Sequence, residues 1–263
     1  MTVAKIMSLK NREKIVMLTA YDYLTAKILD ELKIDIILVG DTAGMVYAGY
    51  KNTLPITMDE MIYHARAVRR GAPGSFIIGD MPFLSYGTSI EESVRNAGRF
   101  LKEAKADAVK LEGGTALSQV ISAIASVGIP VMGHIGLKPQ SIHRFGHSIA
   151  GKNDSETEEL IKDARAIEKA GAFAFVIEGT TEEAAREVTE KISIPAIGIG
   201  AGRYTDGQVL VITDMLGLDK DVNFKHNKKY ADLYGIIKSS VSNYAGEVKS
   251  GIFPSEEQVF HRQ

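Results

Sequence analysis

The sequence contains no cysteine, which excludes disulfides, thiolate zinc centres and a cysteine nucleophile and agrees with a reducing compartment. It has no apolar run approaching the length of a membrane span, and residues 1–14 carry four lysines and arginines without an apolar core of signal-peptide length. The expectation is a soluble cytoplasmic protein with no membrane partner. An excess of one charge is also missing: the formal net charge is −2, with both signs interspersed. Neither a polyanion-binding surface nor an acidic tail is encoded, and nucleic acid is not an expected partner.

What the sequence does contain is rhythm. The chain has 263 residues with 45% hydrophobic content, enough for one full core, and an α/β barrel typically uses roughly 250 residues as one domain. Strand-like apolar runs alternate with amphipathic segments, the pattern of βα units around a parallel sheet. After a short helix at 3–9, strands are expected at 15–19, 36–39, 75–78, 107–112, 131–133, 172–177, 196–199 and 208–213. Capping-box spacings at Thr57/Glu60, Ser89/Glu92, Ser155/Glu158 and Thr180/Glu183 mark helix starts between them. A long helical region at about 229–249 closes the chain. Eight strands with intervening helices predict an α/β fold, a single-domain (β/α)8 TIM barrel over residues 1–263, rather than an open doubly wound sheet.

The most informative stretch is Asp107-Ala-Val-Lys-Leu-Glu-Gly-Gly114. Strand alternation puts Ala108, Lys110 and Glu112 on one face and Val109 and Leu111 on the other. An ammonium and a carboxylate on one face of a barrel strand are expensive to bury unless they meet partners, a ligand or a metal. Asp41, Asp80 and Glu178 likewise follow apolar runs, on the second, third and sixth strands, and His134 ends the fifth. In a barrel those ends share one face, where such folds build their sites.

Clustered carboxylates repel unless a cation or proton offsets them, and an all-oxygen donor set favours Mg²⁺. Asp41 and Asp80 read as ligands, with Glu112 contributing directly or through water. Glu178 is then free to act as a base, against the plain reading of a charge at the start of the following helix. Lys110 reads either as the holder of a substrate carboxylate or as a salt-bridge partner of Glu112. His134 reads as a hydrogen-bonded core residue more readily than as a catalyst.

At these residues the chain resembles the ketopantoate hydroxymethyltransferase (3-methyl-2-oxobutanoate hydroxymethyltransferase) family. The matching strings are Val39-Gly-Asp-Thr-Ala-Gly-Met-Val46, Thr53-Leu-Pro-Ile-Thr57, Asp80-Met-Pro-Phe-x-Ser-Tyr86, Val109-Lys-Leu-Glu-Gly-Gly114, Gly133-His-Ile-Gly-Leu-x-Pro-Gln-Ser141 and Ile197-Gly-Ile-Gly-Ala-Gly202, with Asp206-Gly-Gln-Val-Leu-Val211 and Gly251-x-Phe-Pro254. The resemblance implies a TIM barrel that assembles into a homo-oligomer, usually a decamer, and acts in pantothenate and coenzyme A biosynthesis. It implies Mg²⁺ at Asp41, Asp80 and Glu112, contacts to the substrate 3-methyl-2-oxobutanoate from Asp41, Thr42, Asp80 and Lys110, and Glu178 as proton acceptor. The co-substrate it implies is 5,10-methylenetetrahydrofolate, with no binding residue assigned.

Three positions depart from the family pattern. Thr42 stands where serine is usual, Ile142-His-Arg-Phe-Gly-His147 replaces a glycine-rich stretch, and Gly179-Thr-Thr181 follows Glu178 where a proline is usual two residues on. Segment 138–153 is longer than a βα connection commonly needs and carries Lys138, His143, Arg144, His147 and Lys152. It is expected either to close as a folate-binding lid with Gly146 and Gly151 as hinges or to be a solvated basic loop. The chemistry implied is hydroxymethyl transfer to the oxo acid by Mg-assisted enolisation, giving 2-dehydropantoate. The alternatives are another Mg-dependent lyase, mutase or decarboxylase of small 2-oxo acids, and a non-catalytic barrel that binds a small acid.

Overall fold

The structure, a computed structural model, describes residues 1–146 and 148–262; His147 of the expected lid lies outside them. The described residues fall into two compact units, Met1–Val211 and Ile212–Gln263. In the first, eight parallel strands close into a barrel in chain order: β1 (Ile15–Thr19), β2 (Ile36–Val39), β3 (Phe76–Asp80), β4 (Ala108–Lys110), β5 (Val131–Gly136), β6 (Ala174–Glu178), β7 (Ala196–Ile199) and β8 (Gly207–Leu210), with β8 pairing back to β1. The helices are α1 (Val3–Ser8), α2 (Tyr23–Glu31), α3 (Ala43–Val46), α4 (Met58–Gly71), α5 (Ile90–Ala104), α6 (Ser118–Ser126), α7 (Ile142–Phe145), α8 (Asp154–Lys169) and α9 (Glu182–Lys191).

Strands covered on both sides must be apolar throughout, and β2, Ile-Ile-Leu-Val, is buried at every residue. β1 and β8 differ. Residues 200–206 join β7 to β8 without a helix, and the outward side chains Val16 and Gln208 are exposed. The interior is filled by inward residues of successive strands, among them Met17, Ile36, Phe76, Ala108, Met132, Ala174, Ile197 and Val209, with Ile6 and Leu9 from the α1 end joining the same cluster. There Asp206 binds Lys10 Nζ at 2.8 Å and the amide of Ala196 at 2.9 Å, both side chains being nearly inaccessible.

Two glycines decide how closely the outer helices approach the strands that carry the site. A Cβ on Gly79 would lie 2.2 Å from the buried Phe100 ring of α5, and one on Gly133 would lie 2.6 Å from Ile167 of α8. The chain at these points has no room for a side chain.

The capping box opening α4 is complete, Thr57 and Glu60 each bonding the other's amide. The others differ from expectation. Ser89 accepts from the Glu92 amide, but the Glu92 carboxylate takes the Thr88 hydroxyl instead of reaching back to Ser89. α8 is capped by Asn153 rather than Ser155, and α9 by Thr181 rather than Thr180. For α8 and α9 a neighbouring oxygen side chain on extended backbone takes the capping position.

The second unit contains α10 (Ile212–Met215) and α11 (Leu233–Ser250). The apolar run at 208–213 is thus split, its last residues beginning a helical turn. α11 starts at Asp232, whose carboxylate accepts from Gly235, and ends at Gly251 in the left-handed region. The apolar residues Ile236, Ile237, Val241, Tyr244 and Val248 of α11, close to helical spacing with the half-buried Leu233, are exposed in the single chain. No described helix is long and apolar enough to cross a membrane.

Candidate active site

The site follows from strand parity. β3 turns Phe76, Ile78 and Asp80 inward; β4 turns Ala108 and Lys110, with Glu112 next in line; β5 turns Met132 and His134; β6 turns Ala174, Val176 and Glu178. The lower members of each series are apolar core and the upper ones are ionisable. Asp41, two residues beyond β2, joins them by donating its amide to Asp80 Oδ2 at 3.3 Å. Asp41, Asp80, Lys110, Glu112 and His134 are all buried, and Glu178 keeps only 22% of its side-chain surface. Thr42, beside Asp41, exchanges a 2.7 Å hydrogen bond with the phenol of Tyr21.

Lys110 does not pair with Glu112. Its ammonium binds both oxygens of Asp80, at 2.8 and 2.9 Å, because Asp80 and Lys110 are register partners on adjacent strands. Burial alone would lower the Lys110 pKa, but the carboxylates of Asp80, Glu112 and Asp41 outweigh it and hold the ammonium firmly charged. One cation faces several acids. Burial first, then repulsion from Asp80, raises Asp41 to about 7, and burial also raises Asp80 and pushes Glu112 well up. Burial, with added repulsion from Asp41 and Asp80, brings Glu178 to about 7.

His134 lies between two of these acids, Nδ1 3.7 Å from Glu112 and Nε2 3.5 Å from Glu178. Both ring nitrogens are buried and neither forms a well-aligned hydrogen bond to the flanking carboxylates. Burial and nearby Lys110 depress its pKa, and the ring is neutral.

Two residues without a role in the sequence reading complete the arrangement. Gln140 Nε2 donates to Asp41 Oδ2 and to the Met81 carbonyl, both at 2.9 Å, and its amide donates to Glu112 Oε2 at 3.0 Å. Tyr86 donates to Gln140 Oε1 at 2.6 Å and accepts from the Glu112 amide at 3.0 Å. Tyr86 lies in a loop and Gln140 on the single 3₁₀ turn Pro139–Ser141, and neither carries charge; their only signal was position inside the Asp80–Tyr86 and Gly133–Ser141 strings.

Three buried carboxylates with raised pKa values form a hard, all-oxygen donor set, and by that chemistry Asp41, Asp80 and Glu112 fit a Mg²⁺ ion. Among the described residues, no group of three or more His, Asp or Glu side chains is already drawn together as a formed metal site. Asp80 is engaged by Lys110 and the other two by Gln140.

Segment 138–153 is anchored at both ends beside Glu178. Leu137 donates to the Glu178 carbonyl at 2.8 Å, Ala150 donates to Gly179 at 2.9 Å, and the Thr181 hydroxyl donates to Gly151 at 2.6 Å. The Gly-Thr-Thr after Glu178 therefore serves as the seat of this segment. Between the anchors lies a cavity of about 360 Å³ lined by Lys138, Ser148, Ile149 and Glu156 among others. A larger one, about 540 Å³ at Lys14, Val16, Arg203 and Gln208, contains none of the ionisable residues described above.

A closed parallel barrel that gathers buried carboxylates, a lysine and a histidine at its strand ends defines an α/β-barrel enzyme. Within that class the chain belongs to the ketopantoate hydroxymethyltransferase family, whose model matches residues 1–256. The 3-methyl-2-oxobutanoate hydroxymethyltransferase of Thermotoga neapolitana is 54% identical over 261 residues, covering 99% of this chain and 96% of that protein. The enzyme of that name from Geobacter metallireducens is 53% identical over 249 residues, covering 94% and 93%. Among solved structures, a 2,3-dimethylmalate lyase described as a PEP mutase/isocitrate lyase superfamily member matches with TM-score 0.61 at 16% identity, covering 98% of this chain and 91% of that one. The phosphoenolpyruvate phosphomutase of Streptomyces platensis subsp. rosaceus matches with TM-score 0.63 at 14% identity, covering 99% and 92%. These two likenesses show the fold.

Proposed function

We propose that this chain transfers a hydroxymethyl group from 5,10-methylenetetrahydrofolate to 3-methyl-2-oxobutanoate, giving 2-dehydropantoate for pantothenate and coenzyme A biosynthesis. The observation that carries the reading is Glu178: a partly buried carboxylate raised to about 7 on the same barrel mouth as the buried Asp41, Asp80 and Glu112. A general base is most effective when its pKa lies near the working pH.

Asp41, Asp80 and Glu112 would hold Mg²⁺, which when bound acts as a Lewis acid toward the keto oxygen of the oxo acid. Lys110, fixed by Asp80, supplies positive charge for the substrate carboxylate, and the Thr42 hydroxyl supplies a polar contact beside Asp41. Glu178 removes the C3 proton. The resulting carbanion attacks the methylene carbon of the folate, a C–C bond forming as the first of that carbon's two C–N bonds breaks; the oxygen of water then replaces the second nitrogen. The C3 proton taken by Glu178 and one proton of the water go to the two folate nitrogens, which leaves the hydroxymethyl group on the oxo acid and releases tetrahydrofolate. Burial of these groups excludes bulk water from the carbanion.

We also assign the protein to a homo-oligomer, a decamer in the form the family resemblance implies. The exposed apolar stripe of α11 supports association, and light scattering that gave a stable monomer at micromolar concentration would remove this assignment.

The deciding experiment is turnover of 3-methyl-2-oxobutanoate with and without the folate and Mg²⁺. Product is expected only with all components present. Cleavage of a 2-oxo acid without folate would instead identify a lyase, and binding without turnover would identify a non-catalytic barrel.

A further inference from the structure

Tyr86 and Gln140 form an unbroken hydrogen-bonded path across the barrel mouth. The Glu112 amide can only donate, so the Tyr86 oxygen accepts from it and directs its single hydrogen to Gln140 Oε1. That fixes the Gln140 amide with its NH₂ group toward Asp41 Oδ2 and the Met81 carbonyl. A flipped amide would set oxygen against both acceptors and leave the phenol hydrogen facing NH₂. The same residue's backbone N–H holds Glu112 Oε2. One buried residue thus grips one oxygen of each of two carboxylates that follow different strands, β2 and β4, and the phenol fixes the direction of the grip.

The chemistry of the grip is specific. A lysine here would neutralise Asp41 and compete with a cation for it, whereas a neutral amide orients the carboxylate and leaves its charge available. Lys110 already does the former for Asp80.

We propose that Tyr86 and Gln140 are a positioning pair that sets Asp41 and Glu112 in the orientation from which they take up a divalent cation. This rests on the reading above that Asp41, Asp80 and Glu112 hold the cation, and the test separates the two.

Mn²⁺ binding is measured on the metal-free full-length protein by the loss of the free-ion electron paramagnetic resonance signal, for the wild type, Tyr86→Phe, Gln140→Met and Asp41→Asn. Melting temperature is recorded for each. Outer partners of metal ligands typically contribute about 10- to 100-fold in affinity, so Tyr86→Phe and Gln140→Met are expected to bind Mn²⁺ that much more weakly. Their turnover should recover toward the wild-type kcat as the cation concentration is raised. Tyr86→Phe removes a single oxygen and carries the test by itself if Gln140→Met does not fold. Folded variants that melt lower yet bind Mn²⁺ within twofold of the wild type would overturn the positioning role and leave a packing role. A wild type without a stoichiometric Mn²⁺ site, or an Asp41→Asn variant that binds like the wild type, would overturn the carboxylate reading and the inference with it.

Discussion

Replacing Glu178 with glutamine tests the proposed chemistry at its first step. The substitution is nearly isosteric, and the nearest recorded polar contact of the carboxylate is His134 at 3.5 Å, so the fold should be retained while the base is lost. Exchange of the C3 proton of 3-methyl-2-oxobutanoate in deuterated water, followed by proton NMR with Mg²⁺ and no folate, isolates proton removal from transfer. A positioned general base contributes about 10²- to 10⁴-fold, and Glu178→Gln should slow exchange by that factor.

The structure also fixes the pH dependence of the wild type. Burial first, then repulsion from Asp41 and Asp80, holds Glu178 near 7, and the base is active only when ionised. With the midpoint at about 7 the ionised fraction rises about tenfold between pH 6 and pH 8, and by less as Mg²⁺ saturates the site. A cation bound among the neighbouring carboxylates favours the ionised form, so saturation with Mg²⁺ moves the midpoint to lower pH, never higher. A folded Glu178→Gln variant that exchanges within tenfold of the wild type, or a wild-type rate that falls from pH 6 to 8, would refute this account.

The same raised pKa values predict how metal removal acts on stability. Asp41 and Glu178 stand at about 7 in the folded chain against 3.8 and 4.5 for the free groups; their contribution is therefore full below the unfolded values and lost as pH rises through about 7. Melting scans should show the chelator-treated protein losing stability from pH 5 to 8 and Mg²⁺ restoring more at pH 8; a Mg²⁺ increment independent of pH would contradict this. Away from the site, Asp206→Ala leaves the Lys10 ammonium without a counter-charge, held only by the Thr189 carbonyl at 2.8 Å, and should cost about 3–5 kcal/mol in urea unfolding, with KM for the oxo acid unchanged. If segment 138–153 contacts the folate, Arg144→Ala should raise its KM about two- to fivefold, the worth of one exposed ion pair, and spare C3 exchange. Unchanged folate kinetics would leave that segment without a ligand role.

Much of the barrel was legible because its code is local. The second strand, 36–39, and the seventh, 196–199, fall where apolar run and turn signals coincide, and Asp80, Glu112, His134 and Glu178 at strand ends announced a shared face. Partners across strands are not encoded that way. Lys110 and Glu112 are two residues apart in one strand, about 6.6 Å along it, whereas register partners on neighbouring strands lie about 4.8 Å apart. Sequence alone gives the first relation and not the second, so the Lys110–Asp80 pair was missed. Gln140 and Tyr86 were illegible for another reason. An uncharged side chain in a loop has no periodicity, and its role appears only when two chain segments far apart in sequence meet.

The unequal treatment of the carboxylates is the most informative feature of the site. Asp80 has a cation of its own in Lys110, while Gln140 gives Asp41 and Glu112 neutral donors and the side chain facing Glu178 is a neutral histidine. Three acids are thereby left short of positive charge in a mouth where burial makes ionisation costly. Without a ligand, protons offset that shortage, which is why Asp41 and Glu178 reach about 7. A divalent cation among Asp41, Asp80 and Glu112 would displace those protons and, through the same field, lower the pKa of Glu178. Under the proposed mechanism cation uptake and base activation are then coupled: filling the site would raise the ionised fraction of Glu178 at and below about pH 7, so proton removal from the oxo acid would be favoured where the Lewis acid that stabilises the resulting charge is present.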